Sequence, residues 1–151
     1  MSFAKGVRMA DEQPGLPVVA IDTNTLVQSI PRRGPFRPII EAFDEGRFIL
    51  VVSNDILLEY EEILKRLGGP ASWSAFVELL GLREANVRRI DPSYFWRAIT
   101  HDPDDDKFVD AAVAMDADWI VTEDHHFDVL FENPALRVRP IEPVEFMTMH
   151  L

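Results

Sequence analysis

Short runs of consecutive apolar residues constrain this chain most: Val18 to Asp22 (VVAID), Phe48 to Val52 (FILVV) and the DWIVT of residues 118–122. Apolar side chains at successive positions suit strands covered on both faces, the condition of a parallel sheet packed between helices. The intervening segments have helical character. From Asp55 to Leu67 the residues Ile56, Tyr60, Ile63, Leu64 and Leu67 recur at helical spacing, and Gly68, Gly69 and Pro70 close the stretch. The pattern also predicts a short helix in IIEAFDEG stopped by Gly46, after the loop PRRGPFRP, and a helix in SWSAFVELLGL with Trp73, Phe76, Val77 and Leu80 on one side. Further helices are expected from Pro92 to Ile99, from the acidic run DPDDD to about Met115, and around Phe127 to Phe131. NVRRI and LRVRPI supply the third and last strands. Strands alternating with helices imply right-handed crossovers, hence an α/β fold: a three-layer α/β/α sandwich on a mainly parallel five-stranded sheet.

A chain of 151 residues with 47% hydrophobic content supports one domain with a sizeable core. That domain is expected over residues 17–151, after a loose polar leader over residues 1–16 with Pro14 and Pro17 near its end. The absence of cysteine excludes disulfides, thiolate zinc sites and cysteine nucleophiles, and it fits a reducing compartment. The start lacks a signal-length apolar stretch, and nothing later approaches the roughly 18 apolar residues of a membrane helix. A cytoplasmic protein without a membrane partner is expected. A formal charge of −11 opposes a phosphate-tracking surface, because Lys and Arg dominate such binding. The objection weakens where bound cations neutralise some of the acids.

Four acids stand beside or within apolar segments: Asp22 after VVAI, Glu59 in ILLEYEEIL, Asp106 before FVDAAVAM and Asp124 after WIVTE. Sheets of this kind bind ligands at the carboxyl ends of their strands, and all four can face that edge. Each has a plainer reading. Asp22 and Asp124 can cap helices, and Asp106, like Asp104 and Asp105, can be a first-turn acid favoured by the helix dipole. Glu59 is the most telling, since it falls on the buried stripe three residues after Ile56 and four before Ile63. Four converging carboxylates require a compensating cation, so together the acids read as a metal site.

Competing chemistries lack their residues. DPDDDKFVD has Lys107 where a calcium loop needs Gly and Val113 where it needs Glu. The DTNT after the first strand has Asn24 where an aspartyl-phosphate enzyme needs a second acid. His101, His125, His126 and His150 include no pair spaced on one helix face for zinc, and no GxxxxGK[ST], GxGxxG or GxSxG occurs. Arg32, Arg33 and Arg37 follow Asp22 closely and are candidates for touching a substrate backbone or for a solvated loop.

VVAIDTNTLV, SNDILLEYEEIL and DPDDDKFVDAAVAMDADWIVTEDHHF together resemble the PIN-domain ribonucleases, over roughly residues 17–145. The resemblance is nearest to the toxin components of bacterial toxin–antitoxin systems (VapC-like). It implies that Asp22, Glu59, Asp106 and Asp124 form the family's acidic quartet, with Thr23, Asn24 and Thr122 as supporting polar residues. Asp106 takes the third place because it heads the helix register leading to the T-x-D strand, with Asp104 and Asp105 open as sharers of that role. The resemblance further implies Mg²⁺ or Mn²⁺, an RNA substrate, and an antitoxin partner. Asp22 and Asp124 would then be direct ligands, Asp106 would complete the site, and Glu59 would hold a second ion or orient the attacking water. The alternatives are a non-catalytic PIN-like RNA- or protein-binding module and a DNA-directed nuclease of the same architecture. Apolar residues in ASWSAFVELL and near EFMTMHL are candidates for the core, a homodimer contact or an antitoxin contact.

Overall fold

The computed structural model describes residues 15–99 and 102–151. Its sheet has five strands, β1 (Val18–Ile21), β2 (Ile49–Val52), β3 (Val87–Arg89), β4 (Trp119–Val121) and β5 (Arg139–Ile141), in the order β3-β2-β1-β4-β5 with every neighbour parallel. All residues of β1 and β2 are buried, as strands covered on both faces must be. The strands are one or two residues shorter than the apolar runs suggest, and β5 keeps only RPI of LRVRPI. Pro140 is tolerated because β5 lies at the sheet edge, where a missing amide donor breaks no central ladder.

Among the described residues, six α-helices accompany the sheet: α1 (Thr23–Ser29), α2 (Arg37–Asp44), α3 (Asn54–Gly68), α4 (Pro70–Leu82), α5 (Asp106–Ala114) and α6 (Pro143–His150). Helix α3 packs against both α1 and α4, and α5 packs on β1, β2 and β4. Gly46 follows α2 with a φ of 72°, a left-handed geometry open to glycine at little cost, and so ends that helix as expected. The segment around Phe127 is a 3-10 helix, His125–Glu132. Residues of the expected leader up to position 14, and His101, lie outside the described residues.

The helix expected from Pro92 to Ile99 does not form. The Trp96 amide donates to Asp110 Oδ1 at 2.9 Å and the Ile99 amide to Asp106 Oδ1 at 2.7 Å, so donors that a helix would use internally go to side chains of α5. Arg97, with a φ of 52°, also cannot continue a right-handed helix. The segment instead runs along α5 as an irregular strap.

Tyr60 links the core to the edge where the acids gather. Its ring is fully buried against Phe76 at 5.8 Å, and its hydroxyl donates to the carbonyl of Ile21, the last residue of β1. Burial pushes the hydroxyl well above its ordinary pKa, aided by the charges of Asp22 and Glu59, so it stays a donor. Tyr60→Phe keeps the ring packing and removes that donor. A loss of about 1 kcal/mol in urea unfolding, with the far-UV spectrum unchanged, is expected.

Candidate metal centre

The ladder between β1 and β4 continues one step past the strands, where the Asp22 amide donates to the Val121 carbonyl at 3.0 Å. This brings Asp22 and Thr122 side by side at the carboxyl edge, 7% and 3% exposed. The Thr122 hydroxyl donates to Asp22 Oδ2 at 2.8 Å and accepts from the Asp124 amide at 2.9 Å, so one threonine sets the positions of both acids. Asp22 stands at the N-cap of α1 without a capping bond from its side chain. Burial raises its pKa; the Thr122 hydroxyl offsets part of that, and the nearby charges of Asp124 and Glu59 add to it.

The third acid beside them is Asp105, where the sequence pattern had pointed to Asp106. Asp105 ends a 3-10 turn, Pro103–Asp105, that enters α5, and Asp102 caps this turn by accepting from the Asp104 amide at 3.2 Å. Asp105 is only 9% exposed, and its Oδ2 is buried with no hydrogen-bond partner among the described residues. Its pKa is pushed up to about 8, by burial first, then by the charges of Asp22 and Asp102 and by a hydrogen bond with Asp124. One ligand atom each from Asp102, Asp105, Asp124 and His126 lie within 4.8 Å of one another. The His126 amide donates to Asp124 Oδ1 at 2.8 Å, which fixes that carboxylate from the outer side.

Glu59 and Asp106 sit to one side. Ser53 caps α3, its hydroxyl accepting from the Ile56 amide at 3.2 Å, and the helix carries Glu59 to α1, where the Thr23 hydroxyl donates to Glu59 Oε2. Lys107 Nζ meets the other oxygen at 2.9 Å. Glu59 acts on Asp22 through charge, and both Glu59 and Asp22 stand outside the compact group above. Asp106 holds the Ile99 amide, and together with Glu59 and Lys107 it lines an open cavity of about 830 Å³. Asn24, Arg32 and Arg33 are exposed, the arginines on the turn after α1. Arg37 donates to the Ile30 carbonyl and pairs with Glu41, so it is committed to the local fold.

A carboxylate oxygen buried without a donor is costly unless a proton or a cation supplies the missing charge. Asp22, Asp105 and Asp124 offer hard oxygen donors on a ladder that fixes two of them, which fits a divalent cation such as Mg²⁺ or Mn²⁺. Asp102 and His126 complete the rim. Asp105 has one signal in the sequence, its place in the DDD run; Asp102 and His126 have none beyond their neighbours, because each stands at a 3-10 segment and not on an α-helix stripe.

A family model described as PIN domain matches residues 18–126. No curated protein matches the chain. Two solved structures are similar in fold. VapBC2 from Rickettsia felis, bound to a DNA fragment from their promoter, has a TM-score of 0.55 at 17% identity, over 82% of this chain and 98% of that one. The T. brucei RRP44 PIN domain has a TM-score of 0.54 at 12% identity, over 98% of this chain and 88% of that one.

Proposed function

We propose that this chain, which belongs to the PIN-domain family, is a Mg²⁺- or Mn²⁺-dependent endoribonuclease and the toxin of a toxin–antitoxin pair. The observation that carries the reading is the unpartnered, buried oxygen of Asp105, which feels the charges of both Asp22 and Asp124. The PIN-domain match and likeness in fold to a VapBC2 complex support the reading. No described helix is long and apolar enough to cross a membrane. We place the protein in the cytoplasm.

In this reading Asp105 and Asp124, with Asp22 beside them, would hold the cation, and Asp102 and His126 of the same compact group could add ligands. A bound divalent cation lowers the pKa of a coordinated water and stabilises charge on the phosphate during in-line displacement. Thr122 keeps Asp22 and Asp124 aimed at one point, and such supporting contacts matter nearly as much as the ligands. Thr23 and Lys107 fix Glu59, whose carboxylate faces the cavity and orients the attacking water there. Asp106 is a positioning residue for the strap.

The test is a cleavage assay with the purified chain on single-stranded RNA. Fragments are expected with Mn²⁺ or Mg²⁺, none in EDTA, and recovery when the ion is restored in excess. Equal cleavage in EDTA, or no cleavage with either ion, rejects the proposal.

A further inference from the structure

The cavity beside the acids is lined by seven carboxylates against one lysine, so its wall repels phosphate and offers little to a nucleic-acid backbone. Its volume of about 830 Å³ falls within the roughly 300–1,000 Å³ of small-ligand sites. What it does offer is apolar. Leu58 and Phe95 line it and remain 56% and 62% exposed. Phe95 lies on the strap, where carboxylates of α5 hold two backbone amides, Asp110 that of Trp96 and Asp106 that of Ile99, while the Asp91 side chain just before the strap accepts from the Asn54 amide at 2.8 Å. An exposed ring on an anchored backbone loses little freedom when something packs on it. The flanking Tyr94 and Trp96 pair with each other, centroids 4.8 Å apart, and neither lines this cavity.

We infer that Phe95 is the base-stacking platform of the cleft, seating one unpaired RNA base in the cavity beside Glu59. The inference rests on the ribonuclease reading for the identity of the strand. A base is the neutral, flat part of that strand, and every base has a face that an aromatic ring can take regardless of sequence. Stacking on Phe95 therefore supplies affinity where the local charge cannot. The backbone passes along the acid cluster, where a cation offsets the repulsion, and the base turns away from it into the apolar part of the cavity.

Phe95→Ala is expected to weaken binding of a labelled single-stranded RNA, measured with Ca²⁺ in place of Mn²⁺ to hold the strand without turnover, by about tenfold, the size of one base–aromatic contact. In Mn²⁺, KM should rise by a similar factor with kcat within about twofold. Phe95→Leu, which keeps an apolar side chain without a ring, should resemble Phe95→Ala, whereas Phe95→Trp should bind as well as the wild type or better. Tyr94→Ala should leave binding unchanged. A strand with abasic sites should bind the wild type as weakly as the normal strand binds Phe95→Ala. Equal RNA affinity of wild type and Phe95→Ala overturns the inference and leaves the ring for a protein contact; so does wild-type protein that binds no RNA, or an equal loss on abasic and normal strands. RNA that is bound through Phe95 but never cleaved with either ion sinks the nuclease reading and leaves the stacking inference standing.

Discussion

Asp22→Asn should lower divalent-dependent RNA cleavage by more than the roughly 10- to 100-fold that removal of a ligand's supporting partner costs, with the fold intact. Asn occupies nearly the same volume, and its side-chain oxygen can still accept the Thr122 hydroxyl now at 2.8 Å from Oδ2. The charge that attracts the cation is gone. Because burial raises the pKa of Asp22, its ionised form is a burden on the folded state without a cation, and the neutral amide relieves it. The variant should thus melt in EDTA at the wild-type temperature or above, and lose the rise in Tm that Mn²⁺ gives the wild type. Differential scanning fluorimetry with and without Mn²⁺, beside the cleavage assay, reads both effects. Retained turnover removes Asp22 from the site, and a collapse of Tm in EDTA makes it a structural residue.

The sheet was legible because strands buried on both faces leave continuous apolar runs, as VVAI and ILVV do, and because α3 shows its buried stripe through Ile56, Tyr60 and Leu64. Helix α1 is foreshadowed only by the reading of Asp22 as a cap, and α6 is not expected at all. α1 has seven residues, three of them Thr or Ser, and its Thr23, Thr25 and Ser29 are buried without looking apolar. α6 ends the chain with an apolar stretch whose face is set by Phe146 against Phe48, a contact between distant parts of the sequence. The segment Pro92–Ile99 failed in the opposite sense. Its apolar spacing suits a helix, but its amides are taken by Asp106 and Asp110, which no local pattern reveals. The same holds at the site. Asp22 and Asp124 stand at strand ends and Glu59 on a helix stripe, positions that local patterns reveal, whereas the place of Asp105 depends on how the chain enters α5. A 3-10 turn advances about 120° per residue against 100° in an α-helix, so a register carried back from Val109 and Val113 misjudges the residues before Asp106.

Asp105→Asn and Asp106→Asn separate the two candidates for that third place, and they should differ in both cleavage and pH response. Asp105→Asn removes the buried oxygen charge beside Asp22 and Asp124, so cleavage and the Mn²⁺-dependent rise in Tm should fall as far as in Asp22→Asn. Its pH behaviour follows from linkage. The pKa of Asp105 rises from 3.8 to about 8 in the folded protein, so the folded state holds the proton more tightly than the unfolded chain does. That contribution to stability is complete below about pH 4 and is lost as the pH climbs through about 8. Wild-type protein in EDTA should therefore lose Tm across this window, and Asp105→Asn, which has no proton to lose, should lose less. Saturating Mn²⁺ should flatten the wild-type curve too, since a cation then supplies the charge the proton supplied. Asp106→Asn should keep the wild-type slope, the Mn²⁺ response and most of the cleavage. It exchanges a charged acceptor of the Ile99 amide for a neutral one, a cost of about 1 kcal/mol in stability. Melting curves from pH 4 to 9 in EDTA and in Mn²⁺ decide between them: if Asp106→Asn loses the Mn²⁺ response while Asp105→Asn keeps it, the ligand is Asp106 and the orphaned oxygen of Asp105 is a feature of the turn alone.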